Sequence, residues 1–311
     1  MTAEGIAPQP IQPADATQAP ELAGIVLALG APDEAIDAVR SLLAQDPPVE
    51  VVVVNSAGGG MAEKLRKAGI DVPVIERAER LYVGAARNLG IAATRAPYVG
   101  FLAADCRAAP GWSRYRIEAH RAGAATVASA VVPSHPRNPF AWASHLALYR
   151  RRLPKIGPKR AALYGASYDR ALFDEYGLFR GDLRVGEDTE FHARLRAEHA
   201  PVWNPKVRAI HNSPTSFTAL IADQYGRGQR ASDSSWIVSG KRIPYGPRWA
   251  YIQVRITIRL PRRVTGRRNR WAVRTAWLLL PLAVAAYALG GAQANRRRDR
   301  QARATPEDDA P

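Results

Sequence analysis

The sequence predicts an α/β domain with a mostly parallel central sheet flanked by helices, followed by a C-terminal membrane-associated helical segment. Three observations carry this. Short continuous apolar runs at 24–29, 49–54 and 98–102 suit strands buried on both faces. Strand and helix alternate along the chain, which favours parallel crossovers. Near the carboxyl end, residues 275–295 contain no charge and are flanked by arginines.

The first β-α unit is read as Gly24–Leu29 followed by Pro32–Gln45. Val49–Val54 is the clearest strand; it breaks at Asn55-Ser56 before Gly58, Gly59 and Gly60. Helices are expected at Met61–Ala68 and Val83–Thr94, with a strand at Val72–Ile75 between them. Tyr98–Leu102 is a buried strand that stops just short of a lone acid, Asp105. A helix opening at Pro110-Gly111-Trp112, a strand at Ala124–Val132 and a helix at Pro139–Arg152 come next. The Pro- and Lys-rich stretch Pro154–Arg160 reads as a loop, followed by a helix at Arg170–Tyr176. Glu187-Asp188 begins another helix, where the positive helix end favours ionised carboxylates. A last short strand, Val207–Ile210, runs into His211, and Ser216–Ala231 is helical.

At 311 residues and 47% hydrophobic content the chain can bury one substantial core. The net charge is +16, but residues 241–311 hold 16 Lys and Arg against 4 acids, which leaves only +4 for the rest. Basicity confined to the tail, without basic-aromatic interleaving in the core, disfavours nucleic acid as a partner. Cys106 is the single cysteine, so neither an internal disulfide nor a thiolate metal cage can form. Residues 1–20 lack Lys, Arg and any apolar run, unlike a secretory signal, and read as a disordered Pro/Ala/Gln tail. The expected organisation is a tail at 1–20, the α/β domain at 21–240, a basic juxtamembrane segment at 241–274, a membrane-anchoring helix at 275–295 and a charged tail at 296–311. Those 21 anchor residues would make a helix of about 31 Å, close to the thickness of a hydrocarbon core. Pro281, Gly290 and Gly291 interrupt it, and arginines flank both ends, so a shallow or re-entrant anchor backed by a polybasic patch is an alternative to a span.

Four features fall where strand ends converge: Asn55-Ser56, Asp105, Glu187-Asp188 and His211. Ligands collect outside the carboxyl ends of such strands. A carboxylate and a histidine there, Asp105 and His211, can hold a divalent cation if phosphate oxygens complete the shell. A separate carboxylate, Asp188, is a candidate general base. Arg87 and Arg227 are candidates to neutralise phosphate, with Asn88 beside them as a contact or a loop brace. Each residue also has a purely structural reading: Asp105 as a turn residue, Asp188 as a helix-start charge, His211 as a hydrogen-bonded strand end, and Arg87 as the partner of a local acid. The Gly58–Gly60 run fails as a dinucleotide fingerprint, because Glu63 stands where the third glycine belongs.

The ordered segments VEVVVVNSAGGG, ARNLGIAATRAPYVGFLAADC, GASYDRALFDEYGLF, GEDTEFHARL and HNSPTSFTALIADQYGRG resemble bacterial family 2 glycosyltransferases over roughly residues 22–232. The resemblance implies a GT-A fold, Rossmann-like, and inverting transfer from a nucleotide-diphosphate sugar to a lipid-linked or polysaccharide acceptor. It also implies a divalent cation, Mg or Mn; the expected location, a catalytic domain on the cytoplasmic face of the inner membrane, follows from an amino-terminal segment unlike a secretory signal and from the anchor. Asp105 matches the metal-binding last acid of the family's acidic motif, and Ala103 takes the place of the first acid, which usually helps hold the ribose. Asp188 matches the base of the acidic pair, His211 a residue that often completes the metal site, and Asn55 and Ser56 the pair that contacts the nucleobase. Gln224 and Arg227 resemble part of a processive-synthase motif whose tryptophan is absent, since Gly228 follows, so processive synthesis is not implied. Ala103 motivates a second reading, a catalytically inactive module that binds nucleotide sugar or scaffolds partners.

Overall fold

The computed structural model describes residues 19–259 and 269–304. The expected N-terminal tail to residue 18, the arginines at 262, 263, 267 and 268, and the end of the C-terminal tail lie outside the described residues.

Strand β1 (Leu22–Leu29) is flanked by two others that leave no polar face, β2 (Val49–Ser56) and β4 (Tyr98–Ala103). Val51 and Val53 of β2 enter one core, while Val52 and Val54 enter another on the opposite face. Two covered faces explain why these strands read as unbroken apolar runs. Helix α1 (Glu34–Leu43) follows β1, α2 (Met61–Lys67) follows β2, and the short β3 (Val74–Glu76) leads to α3 (Val83–Ala92). Ala35, Ala38, Val39 and Leu42 form the buried stripe of α1. Next come β5 (Cys106–Ala108), α4 (Trp112–Arg121), β6 (Thr126–Pro133) and α5 (Pro139–Tyr149), the last capped by Asn138, whose side chain accepts from the Ala141 N–H at 3.0 Å. β7 (Ser167–Asp169), α6 (Ala171–Tyr176), α7 (Glu187–Arg194) and β8 (Val202–His211) complete the domain. Three longer helices then close the described chain: α8 (Phe217–Ser239), α9 (Pro247–Arg259) and α10 (Arg270–Ala304).

The eight strands form one sheet in the order β3-β2-β1-β4-β7-β6-β8-β5. The β3-β2-β1-β4 half is parallel, as is the β6–β8 pair, whereas β7 lies antiparallel to both neighbours and β5 antiparallel to β8. The sheet is therefore mixed. Two three-residue strands, β5 and β7, make every antiparallel contact, and segments that short carry no periodicity for sequence reading to detect. β8 also exceeds the expected Val207–Ile210, because Pro205 interrupts its apolar pattern and the register with β6 shifts between Ser129 and Ala130.

The third core joins the sheet to the carboxyl-terminal helices. Ala128 and Ala130 of β6, Trp142 and Leu146 of α5 and Leu220 of α8 pack with Ala276, Leu280 and Ala283 of α10. Helix α10 is long and apolar enough to cross a membrane, yet one side of it belongs to the domain core. It extends well beyond the expected 275–295, and α9 occupies part of the stretch expected to be only a basic linker.

Candidate functional site

β4 ends at Ala103, and the chain turns through Ala104 and Asp105 directly into β5. Antiparallel pairing places Cys106 of β5 opposite His211 of β8, and the Asn212 N–H donates to the Asp105 carbonyl at 2.8 Å. Backbone register thus brings two residues more than a hundred positions apart into one corner. His211 Nε2 lies 3.4 Å from Asp105 Oδ2; the histidine is 2% exposed and the aspartate 52%. On its other side His211 Nδ1 meets Ser213 Oγ at 2.9 Å, and the ring abuts Tyr149 edge-on at 4.9 Å. Nε2 is buried and has no hydrogen-bond partner. Burial works against ionisation of Asp105, but His211, the Cys106 thiol and Arg227 outweigh it and hold the carboxyl below its ordinary range.

The cleft beside Asp105 is completed by His135, Pro214, Asp223 and Arg227. Arg227 Nε donates to both carboxylate oxygens of Asp223, at 2.8 and 2.9 Å, one helical turn apart on α8. Burial disfavours the cation, yet Asp223 more than compensates, so the guanidinium stays charged at the cleft wall.

A second corner forms at the start of α7. Glu187 is buried, with Oε1 3.1 Å from Arg87 Nη2, and the Arg87 guanidinium lies over the rings of Phe101 and Phe179 at 4.8 and 5.0 Å. This pins the helix start and leaves the neighbouring Asp188 half-buried. Asp188 Oδ1 accepts from the Thr189 N–H at 2.8 Å and Oδ2 from the Gly165 N–H at 3.4 Å. Gly165 has φ 66°, and a Cβ there would press on the guanidinium of Arg152. Arg152 donates to the carbonyl and hydroxyl of Ser129 at 2.9 and 2.8 Å, with its cation over Tyr164 and Tyr149. Arg152 thus connects the corners: through Tyr149 to His211, and past Gly165 to Asp188.

Residues 25–177 match the model for glycosyl transferase family 2. This part of the chain belongs to that family. The mannosyltransferase PcManGT from Pyrobaculum calidifontis, in complex with GDP-Man and Mn2+, superposes with a TM-score of 0.55 at 17% identity, covering 89% of this chain and 88% of that one. It shows a shared GT-A fold. TarS 1-349 from S. aureus, in complex with UDP-GlcNAc, aligns with a TM-score of 0.47 at 14% identity over 90% of this chain and 92% of that one. No curated protein matches the sequence.

Within this family 2 glycosyltransferase domain, several residues expected at the ligand do other work. Asn55 is fully buried: Oδ1 accepts from the Ala31 N–H at 3.0 Å, and Nδ2 donates to the Gly58 carbonyl at 2.7 Å and to Glu76 at 3.3 Å. These bonds make Asn55 a brace between the loops after β1 and β2. Ser56 is buried beside it, its carbonyl accepting from the Gly30 N–H at 2.7 Å. Asn88 exchanges two hydrogen bonds with the Phe179 backbone, at 2.8 and 3.1 Å, so it is a brace as well. Arg87 faces Glu187 inside the core instead of a phosphate in the cleft. Asp105, His211 and Arg227 do come together, with Asp188 across Arg152. Tyr149, Arg152 and Asp223 were not foreseen: Arg152 ends an ordinary-looking basic run, Arg150–Arg152, and Tyr149 matches any apolar helix position. Among the described residues no cluster of three or more His, Cys, Asp or Glu forms a metal cage. The Asp105–His211 pair, with its unpartnered Nε2, is the arrangement suited to a shared cation.

Proposed function

We propose that the chain transfers a sugar from a nucleoside-diphosphate sugar to an acceptor hydroxyl by single displacement with inversion. The observation that carries this reading is the Asp105–His211 pair at a strand-end cleft, with a buried imidazole nitrogen facing a carboxylate and lacking a hydrogen bond. Two such groups suit Mg2+ or Mn2+ whose remaining positions go to diphosphate oxygens. The Mn2+ and GDP-Man of PcManGT support the same classes of cation and donor. The cation, when bound, would offset charge on the leaving diphosphate.

Arg227, held charged by Asp223 in the same cleft, neutralises phosphate from the protein side. Asp188 takes the proton of the attacking hydroxyl, while the buried Arg87–Glu187 pair fixes the helix start that presents it. Attack from one face with departure from the other inverts the anomeric carbon. Asn55, Ser56, Arg87 and Asn88 act by positioning the surrounding loops. Ala103 is exposed at the end of β4 and offers a methyl group where a carboxylate would grip the ribose, so donor recognition falls to other groups around the cleft. The long apolar α10 and the arginines around it favour work at the cytoplasmic face of the inner membrane, on a lipid-linked or glycan acceptor of polysaccharide biosynthesis.

The test is a donor screen of the purified chain, reading released nucleoside diphosphate with Mn2+, with Mg2+ and with chelator. Metal-dependent release from one donor class supports the transferase. Ala103 favours a second reading, a binding module without turnover. Metal-dependent nucleotide binding with no release from any donor would select it.

A further inference from the structure

Helix α10 presents two unlike sides. Ala272, Ala276, Leu280 and Ala283 are buried against the domain, whereas Trp271, Leu278, Leu282 and Leu289 are 68%, 77%, 48% and 65% exposed. These positions are spaced by seven, four and seven residues, close to whole helical turns, so they form one stripe along the helix. Exposed Arg270 and Arg274 stand on either side of Trp271 at its start, and exposed Arg296, Arg297 and Arg300 beyond its other end. The helix carries seven arginines and a single acid, Asp299, which is paired with Arg242. Beside the stripe, Phe217, Ile221 and Tyr225 of α8 meet Leu282, Ala286 and Leu289 in an apolar groove. Helix α9 packs on α10 and repeats the pattern, exposing Tyr251, Ile252 and Ile256 alongside the exposed Arg248 and Arg255.

We propose that α10 lies in the plane of an anionic membrane surface and does not cross it. Its apolar stripe and the groove beside α8 enter the acyl boundary, and the flanking arginines meet lipid phosphates. The buried side of α10 argues against a crossing. Along its length it is fastened to α8, whose Asp233 pairs with Arg298 at 2.7 Å and whose Ser232 donates to Asn295 at 2.7 Å. At the Gly228–Tyr287 and Gly290–Tyr225 contacts the two backbones touch without room for a Cβ. A crossing helix would either draw Asp223, Arg227 and Asp233 of α8 towards the hydrocarbon or tear its own side out of the core, and charged groups there are costly. Lying flat needs neither. The residues of α8 that line the cleft, Ala219, Asp223 and Arg227, alternate with those that line the groove. The cleft therefore sits about one helix diameter, roughly 10 Å, from the lipid surface. This surface does not depend on the chemistry proposed for the cleft.

Vesicle co-sedimentation of the full chain tests the surface with two lipids, phosphatidylcholine alone and phosphatidylcholine mixed with equal parts phosphatidylglycerol. The expected result is binding to the mixed vesicles that is about tenfold or more tighter than to phosphatidylcholine and is weakened by salt. Leu278→Glu and Leu282→Glu, both at exposed positions, should each weaken it about tenfold or more with an unchanged circular dichroism spectrum. In inverted membrane vesicles, an impermeant maleimide should reach Arg274→Cys and Arg300→Cys from the same side, since Cys106 is buried. Labelling of only one end would establish a crossing helix and overturn the proposal. So would the absence of vesicle binding, or a dimer that Leu278→Glu dissolves without any lipid affinity.

Discussion

Arg87 and Glu187 form an ion pair of 3.1 Å in which each side chain is less than a tenth exposed, joining the α3 helix to the start of α7 beside Phe101 and Phe179. Burial pushes the Glu187 carboxyl up, and Arg87 opposes that push. Removing one partner strands the other charge among Phe101, Phe179 and Phe191. Arg87→Met is expected to cost about 3–5 kcal/mol, and the double variant with Glu187→Leu less, because no orphaned charge remains. Urea unfolding of both variants checks this, and equal losses would argue against a coupled pair.

Asp188 neighbours that pair but bonds only to its own helix start and to the Gly165 N–H. Asp188→Asn keeps the shape and removes the basicity. Turnover should fall by about two to four powers of ten while nucleotide binding by calorimetry stays within error. Full turnover in this variant would exclude Asp188 as the base.

His211 offers Nε2 toward Asp105 while Ser213 holds Nδ1. His211→Ala and Asp105→Asn should each lower the affinity for Mn2+ in the presence of nucleoside diphosphate, with little change in metal-free nucleotide binding. Titration calorimetry separates the two terms. Unaltered Mn2+ dependence in both variants would remove the pair from the metal site.

Two buried histidines set an acid limit on stability. Burial lowers the His120 pKa to about 4 and that of His145 to about 3, from an ordinary 6.5. The unfolded chain therefore takes up protons first as pH falls below 6.5, and stability drops until the folded-state values are reached. The urea midpoint should decline between pH 6.5 and about 4, and His145→Phe should flatten part of that slope. A decline no shallower in this variant would show that His145 carries none of it.

At Gly228 a methyl group would overlap the Tyr287 carbonyl, and at Gly290 the Tyr225 carbonyl. Gly228→Ala should force α10 away from α8, at a cost of about 1–3 kcal/mol. Faster hydrogen exchange across 276–295 is the expected signature, with β1 and β2 unaffected.

The continuous apolar runs of β1, β2 and β4 were legible from composition alone, because strands covered on both faces need apolar residues at almost every position. The acid after β4, the acidic pair opening α7 and the histidine closing β8 were legible for the same local reason: each marks the end of an element. Register was not legible. The three-residue β5 places Cys106 opposite His211 and so makes a corner of Asp105 and His211, and nothing in three residues announces a partner a hundred positions away. Residue type also could not tell a brace from a ligand contact. Asn55, Arg87 and Asn88 carry the polar groups a nucleotide would need, and packing spends them on Ala31, Glu187 and Phe179 instead. The uncharged run at 275–295 has the length and apolarity to cross a bilayer, but one helix can bury a side against protein or give both sides to lipid. Composition is the same in either case. Contact with α5 and α8 decides it, since a side already filled by Trp142, Leu146 and Leu220 is closed to lipid.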